Sequence, residues 1–172
     1  VLEQASFAHA SLVGVYLTNI RDKPATADFV SFKGANMRQM HLTDGVIWYP
    51  DLRGADLSHS RSEDIWIISG DCVGASFTGI TWVDGALESS NLVGANFSRT
   101  SVTNMNLNGA RLDNATFREA HVTDTRFNNA HLHGVDWRGT IGAEKATFTG
   151  AQGIIPPLAV HYWLNLALGS RG

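Results

Sequence analysis

Apolar side chains recur along this chain with a step of five: between Leu2 and Trp137, 25 of 28 positions so spaced carry Leu, Phe, Ile, Val, Met, Cys or Trp. Two residues before these centres the side chain is usually small, with Ala at 5, 10, 35, 55, 75, 95, 110, 115, 120 and 130. The remaining positions are mostly Ser, Thr, Asn, Asp and Arg. An α-helix cannot use this pattern, because a step of five turns it by about 140° and scatters the centres around its circumference. A straight strand cannot use it either, since its faces alternate every two residues. The pattern predicts a chain in which residues i−2 and i point inward like strand neighbours and the backbone turns through i+1 and i+2. Each pentapeptide is then one side of a coil.

A second period says how many sides close the coil. Positions 14, 34, 54, 74, 94, 114 and 134 read Gly five times, then Asn, then Gly, residue types that tolerate the positive φ of tight corners. Their spacing of 20 means four sides per turn. It also predicts one inward column of Phe77, Phe97, Phe117 and Trp137 and another of Leu12, Phe32, Leu52, Cys72, Leu92, Leu112 and Leu132. With stacked backbones about 4.8 Å apart, the nearly seven coils from Leu2 to Trp137 form a rod on the order of 30 Å long.

Gly34-Ala35-Asn36-Met37, Arg53-Gly54-Ala55-Asp56-Leu57-Ser58, Val93-Gly94-Ala95-Asn96-Phe97-Ser98 and Asn108-Gly109-Ala110-Arg111-Leu112 resemble the A-(D/N)-L-x-x unit of pentapeptide-repeat proteins. The resemblance implies an all-β solenoid, a right-handed quadrilateral parallel β-helix, here of about seven to eight coils over residues 1–153. The handedness comes from the resemblance alone. Residues 154–172 are expected to form a C-terminal helix or cap.

Three centres depart from the rule: Asp22, Ala27 and Ser62. The first two fall within 20–30, beside Pro24 and several charges, where the chain either loops out or forms a degenerate coil. The spacing of 20 between Gly14 and Gly34 favours the coil. A charge such as Asp22 is not expected to face a dry interior unpaired. Ser62 stands three residues before Ile65, a large residue in a small-residue slot, which suggests an exchange of bulk. Beyond Trp137 the register slips by one, with Phe148 as the next centre, and the pattern fades by Gly153.

Ile154-Ile155-Pro156-Pro157 then ends the coil, and Leu158–Leu168 reads as a short helix between Pro157 and Gly169. An open solenoid end exposes core and unpaired backbone, so a cap is expected. This helix is apolar nearly all round, with Leu158, Tyr162, Trp163, Leu164, Leu166 and Leu168, and such a helix wants a second partner. Capping alone, a homodimer through the helix, and docking onto a further domain are the three readings.

The composition fits one domain with a continuous core: 172 residues, 44% hydrophobic and 17% charged. Neither an apolar run long enough to span a membrane nor a signal peptide is visible. The missing initiator Met suggests a fragment or a processed product. Cys72 is the only cysteine; its centre position makes it a small buried hydrophobe, and no intramolecular disulfide can form.

Since inward positions are given to packing, function is expected on the outward ones. Charge there is uneven. Residues 44–88 hold Asp44, Asp51, Asp56, Glu63, Asp64, Asp71, Asp84 and Glu88 against Arg53 and Arg61, a net of −6, while the first 43 residues net +1 and the last 84 net +2. A band of negative potential should surround the middle of the rod. Within it, Val46 and Trp48 on one coil are expected under Trp66 and Ile68 on the next, with Tyr49 at the adjoining corner, and clustered outward aromatics mark partner surfaces.

No catalytic constellation or phosphate-binding loop appears, and no cofactor is implied. The histidines do not assemble a metal-ligand set: His131 and His133 flank Leu132, but His121 lies on another face. The acidic balance and the lack of a basic stripe argue against direct nucleic-acid binding. The expectation is a non-catalytic module that binds another protein through its outward residues. The resemblance implies one alternative, a DNA mimic that binds DNA gyrase or topoisomerase IV and protects it from quinolones; a third, suggested by the missing Met and abrupt ends, is the repeat domain of a larger protein, including a secreted bacterial effector. A cytoplasmic bacterial protein is the expected setting for the first two.

Overall fold

A computed structural model describes residues 5–18 and 30–153. Eight short strands appear: β1 (Tyr16–Thr18), β2 (His41–Trp48), β3 (Arg61–Ile68), β4 (Thr81–Val83), β5 (Ser101–Thr103), β6 (His121–Thr123), β7 (His131–Leu132) and β8 (Gln152–Gly153). β1 to β6 stack in sequence order as one parallel sheet, and β7 pairs with β8. Isolated parallel bridges extend this pairing around the coil. One series runs from Ser6 through Ser31 and Asp51, a second from Ser11 through Asn36 and Asp56, and a fourth side continues from Val46 and Trp66 to Ala86, Asn106, Arg126 and Thr147. The solenoid therefore has four sides, as the period of 20 requires.

The inward residues close the core. Phe77, Phe97 and Phe117 stack with ring centroids 4.7 Å apart, and Trp137 follows 4.8 Å below Phe117. Cys72 is fully buried in the neighbouring column with Leu52 and Leu92. The one-residue slip is also present: Arg126 pairs with Thr147 and His131 with Gln152, a separation of 21. Gly142 (φ 80°) and a single 3-10 turn at Ala143–Lys145 absorb the extra residue. Phe148 then stacks on Phe127 at 5.0 Å.

Two expectations need correction. The first coil is not in the predicted column: Ser6 pairs with Ser31, Ser11 with Asn36 and Tyr16 with His41, a separation of 25 rather than 20. Phe7, not Leu12, therefore stacks on Phe32, at 5.3 Å, while Gly14 donates its N–H to Arg38 and lies over the corner after it rather than over Gly34. The spacing that favoured a degenerate coil is thus no measure of register; residues 19–29 themselves, with Asp22 and Ala27, lie outside the described residues.

Secondly, the solenoid has about six turns rather than seven to eight. The higher number came from counting an unbroken period of 20 across that segment. No α-helix occurs among the described residues, and the expected cap helix with Leu158, Tyr162, Trp163, Leu164, Leu166 and Leu168 lies outside them.

Corners also differ in kind from the expectation. Positive φ is not confined to the glycine column: Gln39, Asp44, Tyr49, His59, Asp64, Ser69, Asp84, Arg99, Asn104 and Glu119 all adopt it, at 52° to 59°. Every side of the coil ends in a left-handed residue, which sharpens each bend. This also aims the corner side chains outward.

Candidate functional site

On the fourth side, outward residues of two successive coils are apolar. β2 and β3 pair Val46 with Trp66 and Trp48 with Ile68, bringing the four predicted residues together. Strand alternation explains their direction, because the intervening Ile47 and Ile67 are buried. Val46, Trp48 and Ile68 are half-buried, whereas Trp66 and Tyr49 keep 41% and 42% of their surface exposed. Tyr49 stands at the corner, its ring 6.1 Å from that of Trp48. The strip ends abruptly below Ile68: buried Ala86 sits under Trp66, and the next residues down this side are Asn106, Asn108, Arg126 and Asn128.

One edge of the strip is acidic, and the other carries two aspartates with an arginine between them. Asp44, Asp64 and Asp84 occupy one corner of three successive coils, continued by Asn104 and Asp124, all with φ between 53° and 58°. Asp and Asn tolerate this left-handed conformation better than most side chains, so backbone geometry accounts for the residue type. The accumulated charge is a separate consequence. Asp64 accepts the Trp66 indole N–H at 3.1 Å, and Asp84 accepts from the Asn104 amide at 2.8 Å. Each carboxylate retains acceptor capacity beyond that single bond. Below the strip, Glu88 accepts from the Asn106 amide at 2.8 Å.

Beyond the Tyr49 corner, Asp51 and Asp71 are stacked neighbours. The Arg53 guanidinium grips Asp51 at 2.8 and 2.7 Å and lies 3.5 Å from Asp71. Its hydrogen bonds hold the Asp51 carboxyl below the usual range against the opposing effect of burial. Tyr49, Pro50, Ser69 and these three charged residues line a shallow cleft of about 340 Å³.

The other members of the acidic band lie elsewhere. Asp56 is on the second side, 3.9 Å from Arg38, and Glu63 on the third, 3.9 Å from Arg61. The band does encircle the rod, but it concentrates at the Asp44–Asp64–Asp84 corner. Residue-by-residue reading missed that ridge, although the spacing of 20 between the three aspartates was its signal.

Burial pushes the Cys72 thiol well up from its ordinary pKa, the opposite of a reactive cysteine. Among the described residues no group of three His, Cys, Asp or Glu side chains could hold a metal ion. His133 instead approaches Asp113, at 3.2 Å.

Residues 71–109 and 95–134 match the family model described as pentapeptide repeats, in eight copies. No curated protein sequence matches the chain. Among solved structures, the chain is similar to QnrB1, a plasmid-mediated fluoroquinolone resistance protein, with 18% identity over 95% of this chain and 82% of that one, at a TM-score of 0.38. It is similar to HetL, a pentapeptide repeat protein involved in heterocyst differentiation regulation in the cyanobacterium Nostoc, with 16% identity over 91% and 93% of the two chains and a TM-score of 0.25. It is also similar to Rfr23 from the cyanobacterium Cyanothece, with 18% identity over 87% of each chain and a TM-score of 0.27. Likenesses this distant do not transfer a function.

Proposed function

We propose that this chain, a pentapeptide-repeat protein, is a non-catalytic binding module that takes another protein on the face formed by Val46, Trp48, Trp66 and Ile68, with Tyr49 at its corner. One observation carries the reading: the fourth side is apolar outward over two coils and polar below, although the interior is already filled by the inward residues. Large side chains held outward by strand alternation gain nothing from the core, and their burial against a partner is favourable. The test places a photo-cross-linking amino acid at Trp66 and, as control, at Asn108 on the same side. Adducts from position 66 that disappear on Trp48→Ser, with none from position 108, support the face; equal labelling at both positions defeats it.

A second reading, mimicry of DNA toward gyrase or topoisomerase IV, has one observation in its favour. Residues 44–88 span little more than two coils, about 11 Å of rod at about 4.8 Å per coil. Duplex DNA carries about six charges over that length, which equals the net −6 of the band. Outside the band the match ends, since the flanking segments net +1 and +2. Supercoiling by gyrase with increasing amounts of this protein, with and without a quinolone, separates the readings: inhibition or protection favours the mimic, and no effect at high excess leaves the binding face.

A further inference from the structure

The fourth side joins an apolar strip to a charged border. The strip lies beside the corner aspartates Asp44, Asp64 and Asp84, with Glu88 at its lower end, while beyond the Tyr49 corner Asp51 and Asp71 are paired with Arg53. A surface of this kind is complementary to an apolar stripe bordered by positive charge. Opposite charges at the rim fix orientation and register, while the tryptophans supply the buried contact.

The dimensions select the conformation of that partner. Between the corners at Asp44 and Tyr49 the extended backbone of Gly45–Trp48 leaves a flat side about 10 Å wide, comparable to the 10–12 Å diameter of an α-helix with its side chains (about 11 Å). Along the rod, the ridge aspartates repeat at about 4.8 Å, the spacing between stacked strands. A helix laid parallel to the rod axis presents one side chain per turn every 5.4 Å, so its mismatch grows by only about 0.6 Å per turn. Over the two intervals from Asp44 to Asp84 that amounts to about 1.2 Å, within the reach of a flexible Lys or Arg side chain. An extended strand would repeat its same-face side chains at about 6.7 Å and be about 4 Å out of step over the same length. Nor can a strand pair with this surface, because the backbone groups of β3 already bond to the coils above and below.

We propose that the fourth side receives a basic amphipathic helix of about two turns, lying along the rod axis with its apolar stripe on Trp48, Trp66 and Ile68 and its Lys or Arg residues on the Asp44–Asp64–Asp84 ridge. This deepens the binding-face reading and rests on it.

The test uses a fluorescein-labelled probe peptide of about 14 residues, leucines on one stripe and lysines along one border of it. Two controls accompany it: a scramble of the same composition and a version with Glu in place of Lys. Anisotropy titrations with the full chain should give binding about tenfold or more tighter for the patterned peptide than for either control, weakening as salt rises. Asp64→Asn with Asp84→Asn should reduce the affinity about tenfold, as should Trp66→Ser, each with an unchanged circular dichroism spectrum and thermal midpoint. Equal binding of the scramble, or unaltered binding by the Asp64→Asn/Asp84→Asn protein, overturns the helix. Position-66 cross-linking to a protein without binding of the patterned probe also overturns it while leaving the face as a binding surface. Loss of both retires the two proposals together.

Discussion

Trp82 is the largest fully buried side chain of the solenoid, and the residues around it are small where it needs room. Ser62 lies directly above it in register, and Gly85 follows just past the Asp84 corner. A Cβ on Gly85 would stand 2.0 Å from the Trp82 ring nitrogen and 2.7 Å from the Ile65 carbonyl. That nitrogen donates to the same carbonyl at 3.3 Å, so neither atom can withdraw without losing a buried hydrogen bond. Gly85→Ala should therefore destabilise the protein by about 3 kcal/mol, measured by urea unfolding; a change below about 0.5 kcal/mol would show that the site relaxes freely. Ser62 has the opposite expectation. Its hydroxyl is buried without a hydrogen-bond partner, so Ser62→Ala should stabilise by about 1 kcal/mol, and a loss of stability would reveal a missing partner. The sequence pointed to an exchange of bulk between the neighbouring positions Ser62 and Ile65. The larger adjustment, with Trp82 in the coil below, becomes visible only when the period of 20 is used to stack every odd residue on its neighbours.

At the scale of one coil side, the backbone conformation of the corner sets both shape and chemistry. Gly94 has φ 67° and a Cβ there would meet nothing within 4 Å, so it isolates the conformational effect from packing. Gly94→Ala should cost about 1 kcal/mol, and Gly94→Asn less. Equal stability of all three proteins would mean that the corner tolerates another conformation. The glycine column was legible because glycine announces positive φ, whereas the other three corners were not, since Asp, Asn, Ser and His also serve as ordinary surface residues. For the same reason the Asp44–Asp64–Asp84 ridge was seen as part of a diffuse band. The apolar pairs Val46/Trp66 and Trp48/Ile68 were legible because alternation within a strand leaves only one direction for them. Register across 19–29 was not: a motif of period 20 repeats its glycines whether or not those glycines stack, and only the pairing of Ser6 with Ser31 and Tyr16 with His41 distinguishes the two.

At the scale of the rod, charge enters stability through outward pairs, since among the described residues no ionisable group but Cys72 is in the core. Hydrogen bonds from Arg138 hold the Asp136 carboxyl down to about 2, from 3.8, although desolvation acts against them. Arg99 lowers Glu119 in the same way, through a bond of 2.8 Å, and Arg53 lowers Asp51. For a carboxyl whose native pKa lies below its unfolded value, the unfolded chain binds the proton more readily in the interval between them. The stabilisation is thus complete above about pH 4 and is lost as the pH falls toward 2. The expected thermal midpoint is level from neutral pH to about 5 and declines below about 4. The decline should be shallow, because these side chains are solvent-exposed and screened. Asp136→Asn should lower the midpoint slightly at neutral pH and flatten the acid limb, with the two proteins converging near pH 2 as the native carboxylate becomes protonated. Parallel curves for Asp136→Asn and the unaltered protein would show that the Asp136–Arg138 pair contributes no proton linkage, and would move the acid sensitivity to Asp51 and Glu119. Such a rod keeps its core indifferent to pH while its corner charges respond. Salt should therefore weaken what the exposed acidic ridge binds before it alters the fold that presents it.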